Sequence, residues 1–228
     1  FEQDKPYERE FAGIQKFEPI SRAHEGHVDI LHVGRNEEAG CFFYIMELGD
    51  DEEAGQRIDP KTYSPKTLAK EVEKRKRIPL PECLKLGLDL AGALDFLHQQ
   101  NLIHRDIKPS NIIFVNGSPK FADVGLVTDI APKGRKTTLV GTEGYLAPEG
   151  PGTAAADVFS LGKVLYEAAT GCDRHEFPAL PPSLVNEASS MLSDFNGLLL
   201  KACAAEPRHR YQRAGELQAD LRRLCERR

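Results

Sequence analysis

The segment at residues 102–114, L-I-H-R-D-I-K-P-S-N-I-I-F, places a polar loop between two short apolar runs. The apolar runs predict strands that enter and leave the loop. Asp106, Lys108 and Asn111 combine a carboxylate, a cation two residues later and an amide five residues after the carboxylate. Such a set can face a hydroxyl group, neutralise a phosphate and ligate a metal ion. The alternative interpretation is an ordinary polar loop, which often contains Asp, Asn and Pro.

Composition and charge limit the class of protein. A chain of 228 residues suits one large domain or two small ones. The formal net charge of −5 argues against a general nucleic-acid binder, and no apolar run approaches the length of a membrane span. Five scattered cysteines without C-x-x-C spacing indicate reduced thiols in the cytoplasm. Because no Met precedes Phe1, we expect the sequence to be a piece of a longer chain.

Periodicity and turn signals predict regular structure along the whole chain. Apolar residues at three-residue spacing predict a first helix over residues 6–20. Two strands joined by a charged turn predict a hairpin, and an Asn-Gly pair predicts a smaller hairpin after the polar loop. The larger hairpin is expected at residues 27–34 and 41–48, and further helices are expected at residues 66–77, 82–99, 154–170, 187–205 and 213–227. The acidic run at residues 50–53 is interpreted as a solvated loop.

The chain resembles the eukaryotic-like protein kinase family over nearly its whole length. Five motifs carry the resemblance in the family's order: H-R-D-I-K-P-S-N at 104–111, D-V-G at 123–125, A-P-E at 147–149, D-V-F-S-L-G at 157–162 and P-R-H-R-Y at 207–211. The D-V-G form and the G-T-E-G-Y-L-A-P-E-G-P-G stretch are similar to bacterial members. Five motifs in order are far more specific than any one of them.

The resemblance implies an α+β fold, with a truncated small lobe of helix C plus two strands and a mainly helical large lobe. The small lobe and hinge would occupy residues 1–48, and the large lobe residues 49–228. The implied activity is transfer of the γ-phosphate of ATP to a protein Ser or Thr hydroxyl in bacterial signalling. The implied location is the cytoplasm, with any membrane tether outside this chain. The sequence does not determine the oligomeric state.

The resemblance implies a role for each residue that occupies a functional position of the family's motifs. Asp106 would accept the proton of the substrate hydroxyl or orient that hydroxyl, and Lys108 would steady the transferring phosphate. Asn111 and Asp123 would hold Mg²⁺, because hard cations prefer oxygen ligands. The structural alternatives are that Asn111 caps a turn and that Asp123 accepts backbone hydrogen bonds. Thr142 is expected near Asp106 and Lys108.

A nucleotide site is implied at the second strand of the hairpin. Met46 would be the gatekeeper, and backbone groups of Glu47 and Leu48 would meet the adenine edge. Ile113 would lie beneath the adenine ring. The alternative interpretation of residues 46–48 is a buried strand end.

Three further side-chain roles are implied. Glu149 is expected to pair with Arg210 in a buried structural ion pair. Thr137 and Thr138 are candidate phosphorylation sites, and the alternative is that they are ordinary polar residues of a loop. Val124 replaces the usual Phe of D-F-G and should pack more loosely.

The sequence also departs from the family. It contains no G-x-G-x-x-G motif, which covers the phosphates in kinases, and no V-A-I-K-like strand, whose Lys pairs with a helix Glu. Lys5 is a poor substitute for that Lys. Glu10, with Glu8 as runner-up, is the expected helix-C Glu. We therefore expect a kinase that needs strands upstream of this sequence. The alternatives are a catalytically impaired binding module and an inert fragment.

Overall fold

The computed structural model describes residues 4–123, 126–129, 141–186 and 190–227. Its helices are α1 (Asp4–Ser21), α2 (Leu68–Arg75), α3 (Leu80–Gln99), α4 (Ala154–Thr170), α5 (Pro182–Asn186), α6 (Ser190–Ala202) and α7 (Ala214–Glu226). Its strands are β1 (Ile30–Asn36), β2 (Cys41–Met46), β3 (Leu102–Ile103), β4 (Ile112–Val115), β5 (Ser118–Phe121) and β6 (Thr128–Asp129). The strands form three two-stranded antiparallel sheets: β1–β2, β3–β6 and β4–β5.

The first helix packs on the first hairpin, as its apolar spacing predicts. Phe11, Ile14 and Phe17 are all buried. Phe11 meets Phe42 of β2 edge to face, with ring centroids 5.6 Å apart, and the Arg35 guanidinium of β1 lies 3.8 Å from the Phe11 ring centroid. One apolar stripe therefore joins α1 to the sheet.

Helix α4 lies at the centre of the helical part of the molecule. The Thr153 side chain accepts a hydrogen bond from the N–H of Ala156 at 3.1 Å and so caps the helix start. Gly171 ends the helix with a φ of +70°, and a Cβ there would clash with the Lys76 carbonyl oxygen. Most α4 side chains are buried against α3, α6 and α7. The predicted bounds of this helix are confirmed.

The other predicted elements are confirmed with shifted ends. Helix α3 begins two residues before the predicted start, because Pro81 fits the first helical turn, where its missing N–H is not needed. Within the predicted run over residues 187–205 the structure has α6, whereas α5 ends before that run, and residues 187–189 lie outside the described residues. None of the described helices is both long and apolar enough to cross a membrane.

The acidic run after β2 is only partly the solvated loop that its composition suggested, because Glu53 is exposed but the two Asp residues before Glu52 are not. Asp50 and Asp51 are buried. The Asp50 carboxylate accepts the N–H groups of Asn116 and Gly117 in the β4–β5 turn, at 3.0 and 2.8 Å. Asp51 accepts three backbone N–H groups within its own loop, and these bonds lower the pKa of Asp51. A charge run can thus be structural when backbone donors converge on it.

Replacing Asp50 by Ala should destabilise the fold by about 1–3 kcal/mol, since two N–H donors of the β4–β5 turn lose their acceptor. Chemical denaturation measures the change. Asp59→Ala is the control, because the Asp59 side chain is exposed and, among the described residues, its carboxylate accepts one backbone N–H, from Lys61. Equal losses in the two variants would contradict a structural role for Asp50.

Candidate active site

A buried carboxylate from α4 holds the start of the polar loop by hydrogen bonds. Asp157 accepts the backbone N–H groups of His104 and Arg105, at 2.8 and 3.0 Å. The Nε2 atom of His98 lies 3.0 Å from Asp157 Oδ2. Arg105 has a φ of +72°, which is unusual for a residue with a side chain. Burial alone would raise the pKa of Asp157, but the hydrogen bonds from His98 and the His104 backbone lower it.

Three side chains of the loop region meet at one point. Asp106 Oδ2 lies 2.7 Å from Lys108 Nζ, and Asp106 Oδ1 lies 2.8 Å from Thr142 Oγ1. Lys108 Nζ also donates to Thr142 Oγ1 at 2.9 Å. The expected position of Thr142 beside Asp106 and Lys108 is confirmed. The result is a carboxylate and a cation held within one hydrogen-bonded cluster.

The electrostatics of this cluster favour an ionised Asp106. Burial alone would raise the pKa of Asp106, but hydrogen bonds from Lys108 and Thr142 outweigh it and hold the pKa below its ordinary value. An ionised carboxylate accepts hydrogen bonds and donates none. A low pKa also makes a weak base, so the chemistry suits orienting a hydroxyl better than removing its proton early.

Asn111 connects this cluster to Asp123. Its side-chain amide donates to the backbone carbonyl and the carboxylate of Asp106, at 3.0 and 2.9 Å. The same nitrogen lies 3.5 Å from Asp123 Oδ2. Asp123 is exposed and has a φ of +52°. The two expected metal ligands therefore lie side by side, with oxygen donors of the kind that Mg²⁺ prefers.

These two ligands do not by themselves make a closed metal site. The described residues contain no group of three or more His, Cys, Asp or Glu side chains that could hold a metal ion. Magnesium is often held by one or two protein oxygen ligands together with substrate phosphates and water. The pair fits a metal that arrives with a nucleotide.

The segment after β2 is a solvent-facing strand end. Met46 and Leu48 are both exposed, so the alternative of a buried strand end is wrong for them. Glu47 donates its N–H to the Asp29 carbonyl at 2.9 Å, and its carboxylate accepts from the Asp29 N–H and from Lys120 Nζ, at 2.8 and 2.5 Å. Within the described part of the chain, the hydrogen bond to Asp29 leaves the carbonyl as the backbone group of Glu47 that could meet an adenine edge.

Ile113 lies close to this strand end. It belongs to β4 and is buried. A Cβ placed on Gly49 would lie 3.3 Å from Ile113 Cδ1. The structure thus brings Ile113 near the segment that follows Leu48.

The expected ion pair between Glu149 and Arg210 is present. Arg210 Nη1 and Nη2 donate to the two carboxylate oxygens at 2.6 and 2.9 Å. The Arg210 side chain is fully buried, whereas that of Glu149 is partly exposed. Arg210 also donates to the carbonyls of Ala204 and Ala205. The pair therefore joins the segment after Thr142 to the segment before α7.

Some predicted residues lie outside the described part of the chain: Val124, Gly125, Thr137 and Thr138. On α1, Glu8 forms an ion pair with Arg35 at 2.8 Å, whereas Glu10 is half-buried. Glu10 therefore remains the better candidate for the helix-C Glu.

Sequence reasoning missed the role of Asp157. Its motif was recognised, but spacing gave no reason to place it under a loop that begins more than fifty residues earlier in the chain. An Asp in the first turn of a mostly apolar helix was the available signal.

The family model for the protein kinase domain matches residues 41–212. The chain belongs to the protein kinase family. Its α+β fold is that of a kinase with a truncated small lobe of α1, β1 and β2 and a mainly helical large lobe. The predicted fold class and family are therefore confirmed.

Bacterial kinases are among the relatives that resemble the chain. It is 40% identical over 159 residues to serine/threonine-protein kinase PknB of Mycobacterium tuberculosis, covering 60% of this chain and 25% of the relative. Identity to PknB of Mycobacterium leprae is 38% over 169 residues, or 64% and 27% of the two chains. Identity to probable serine/threonine-protein kinase CPE1738 of Clostridium perfringens is 31% over 179 residues, or 70% and 26%. The chain spans about a quarter of the length of these relatives.

Proposed function

We propose that this chain is the catalytic part of a protein serine/threonine kinase, which transfers the γ-phosphate of ATP to a protein hydroxyl. The cluster of Asp106, Lys108 and Thr142, with Asn111 against it, carries the proposal. Asp106 orients the attacking hydroxyl, and Lys108 neutralises charge on the transferring phosphate. Catalysis then rests on positioning and charge stabilisation.

The nucleotide would lie between the strand end and the catalytic cluster. The Glu47 carbonyl meets the adenine edge, Met46 and Leu48 flank it, and Ile113 supports the ring. Asn111 and Asp123 hold Mg²⁺, which supplies positive charge to the phosphates when bound. The donor chemistry of these two side chains supports the assignment.

Transfer also needs a segment that covers the phosphates, which in kinases is a G-x-G-x-x-G loop. This sequence does not contain that motif. The exposed apolar surface of the β1–β2 sheet supports the expectation that further strands pack beside it. The sheet exposes four large apolar side chains: Leu31, Phe43, Ile45 and Met46. We therefore propose residues 1–48 as a partial small lobe and residues 49–228 as the large lobe, active when a Gly-rich segment and its Lys strand are joined upstream.

Phosphoamino-acid analysis tests the proposal. The longer protein that includes this chain is incubated with γ-labelled ATP, Mg²⁺ and a mixture of candidate protein substrates. We expect acid-stable label on Ser or Thr. Absence of label, or label only on Tyr or on acid-labile positions, would overturn the proposal in favour of a binding module or another phosphotransferase.

Magnesium-ATP should raise the thermal stability of the same protein, and Asp123→Asn should remove most of the effect. A ligand at about 100 times its Kd adds roughly 2.7 kcal/mol to the free energy of unfolding. Asp29→Asn is the control, because its role in the structure is through backbone groups. Equal stabilisation of wild type and Asp123→Asn would contradict the metal-ligand assignment.

A further inference from the structure

The loop between β2 and α2 is closed at its base, directly after the segment that we propose meets the adenine edge. We call residues 50–66 the β2–α2 loop. The Asp50 N–H donates to the Phe114 carbonyl of β4 at 2.7 Å, and the Phe114 N–H donates to the Lys66 carbonyl at 3.0 Å. The Lys66 N–H donates to the Asp50 carbonyl at 2.8 Å. Both ends of the loop are therefore fixed at one residue of β4.

Hydrogen bonds inside the β2–α2 loop fix its second half as well. The Ser64 N–H donates to the Asp51 carboxylate at 2.9 Å, and the Ser64 carbonyl accepts from the Glu52 N–H at 2.8 Å. The Tyr63 N–H donates to the Asp59 carbonyl at 2.8 Å. The backbone around Tyr63 is thus held in place by the loop itself.

The Tyr63 side chain returns from this loop to the strand end. Its hydroxyl donates to the Gly49 carbonyl at 3.1 Å. A Cβ placed on Gly49 would lie 3.6 Å from the Tyr63 hydroxyl oxygen and 3.3 Å from Ile113 Cδ1. Burial and the nearby charges of Asp51 and Asp50 raise the pKa of Tyr63, so the hydroxyl stays protonated and remains a donor. Gly49 therefore lies between the Tyr63 hydroxyl and the residue that we propose supports the adenine ring.

This hydrogen bond completes a pair of anchors around Leu48. On one side, the Glu47 N–H is bound to the Asp29 carbonyl at 2.9 Å. On the other side, the Gly49 carbonyl is bound to Tyr63. The Leu48 side chain is exposed, with 55% of its surface accessible, so side-chain packing does little to hold this residue. Its backbone is held by the anchored residues before and after it.

We propose that Tyr63 is a positioning residue for the nucleotide, because its hydroxyl fixes the Gly49 carbonyl and so holds the Leu48 backbone ready for the adenine edge. A segment that is already ordered binds more tightly, since the ligand does not have to order it. The inference rests on the proposed function for the identity of the nucleotide. It adds a residue outside the five family motifs that sets the affinity for ATP without touching the reacting groups.

Nucleotide affinity and transfer kinetics, measured on the longer protein that includes this chain, test the proposal. Tyr63→Phe removes only the hydroxyl. We expect it to raise KM for ATP at least about threefold, the order expected when the nucleotide must itself order a segment that was previously held. The values of kcat and of KM for the protein substrate should not change. Affinity for adenosine should fall by the same factor as affinity for ATP, whereas affinity for magnesium tripolyphosphate, which has no base, should be unchanged.

Tyr211→Phe is the matched control. The Tyr211 hydroxyl donates to Asp220 Oδ2 at 2.9 Å, and its side chain is buried. This variant also loses one hydroxyl hydrogen bond, but in the segment before α7. It should bind ATP, adenosine and magnesium tripolyphosphate like the wild type. Urea denaturation shows whether both variants remain folded, as a single lost hydrogen bond predicts.

The outcomes separate this inference from the proposed function. If transfer proceeds and Tyr63→Phe has the wild-type KM for ATP, the positioning role is wrong and the kinase proposal stands. A selective loss of ATP and adenosine affinity in a protein that transfers no phosphate would support the role of Tyr63 and overturn the kinase proposal. An equal loss of tripolyphosphate affinity would overturn the inference, because it would indicate a general loosening of the fold. A wild-type protein that does not bind ATP would overturn both.

Discussion

Replacing Asp157 by Ala should lower the free energy of unfolding by at least about 3 kcal/mol, because each buried donor that is left without an acceptor costs about 1–3 kcal/mol. The substitution removes the acceptor of two backbone N–H groups, from His104 and Arg105, and the partner of His98. All three groups are buried, so water cannot replace the carboxylate without opening the loop. Urea denaturation with an unchanged m value measures the loss.

Asp194→Ala is the control for this variant. Asp194 pairs with Arg227 at 3.1 Å, and both side chains are largely exposed. Exposed pairs contribute about 0.2–1 kcal/mol. A loss in Asp157→Ala that is no greater than in Asp194→Ala would contradict the view that Asp157 anchors the polar loop.

The same carboxylate predicts an acid limb of stability. The folded-state pKa of Asp157 lies below the ordinary Asp value of 3.8. Its stabilising contribution is therefore fully present above that value and is lost as the pH falls through the folded-state pKa. Asp157→Asn should remove this part of the acid dependence, and unfolding measured across pH 2–5 would test it.

Replacing Arg210 by Ala should cost about 3 kcal/mol of stability, at the lower end of the range for buried pairs because the Glu149 carboxylate is partly exposed. The variant leaves two backbone carbonyls and a carboxylate without their donor. It also removes the guanidinium that lies 4.8 Å from the Phe159 ring centroid. Arg210→Lys should recover little, since one ammonium group cannot reproduce the two-pronged contact.

A double-mutant cycle with Glu149→Gln isolates the pair. We expect Glu149→Gln to cost much less in the Arg210→Ala background than in the wild type. Additive losses would mean that the two residues stabilise the fold independently. Arg227→Ala, which removes an exposed Arg, should change stability by less than about 1 kcal/mol.

Local patterns predicted the elements well where one face of the chain is buried. Helix α4 has a capping Thr153 and a closing Gly171, and its predicted bounds match the structure. The cluster around Asp106 was predictable because its members lie in one short motif, and Thr142 followed from the resemblance. The relative positions of side chains on a single loop or a single helix follow from their spacing in the sequence.

Long-range hydrogen bonds were not predictable in the same way. Asp50 accepts hydrogen bonds from a turn more than sixty residues later in the chain. The composition of the acidic run that contains Asp50 suggested only a solvated loop. Glu47 has its N–H and its carboxylate engaged by Asp29 and Lys120. Such contacts depend on tertiary packing, which no local period encodes.

Phosphate transfer by an Asp106→Asn variant tests the central claim most directly. The variant is made in the longer protein that includes this chain, and the initial rate of label transfer from γ-labelled ATP is compared with that of the wild type. Asn at position 106 keeps the size of the side chain and can still accept from Thr142, so urea denaturation should show a cooperative, folded protein. We predict a loss of at least about a hundredfold in rate, the lower bound for a positioned acid–base group. A folded variant that transfers phosphate at the wild-type rate would contradict the assignment of Asp106 to the reaction.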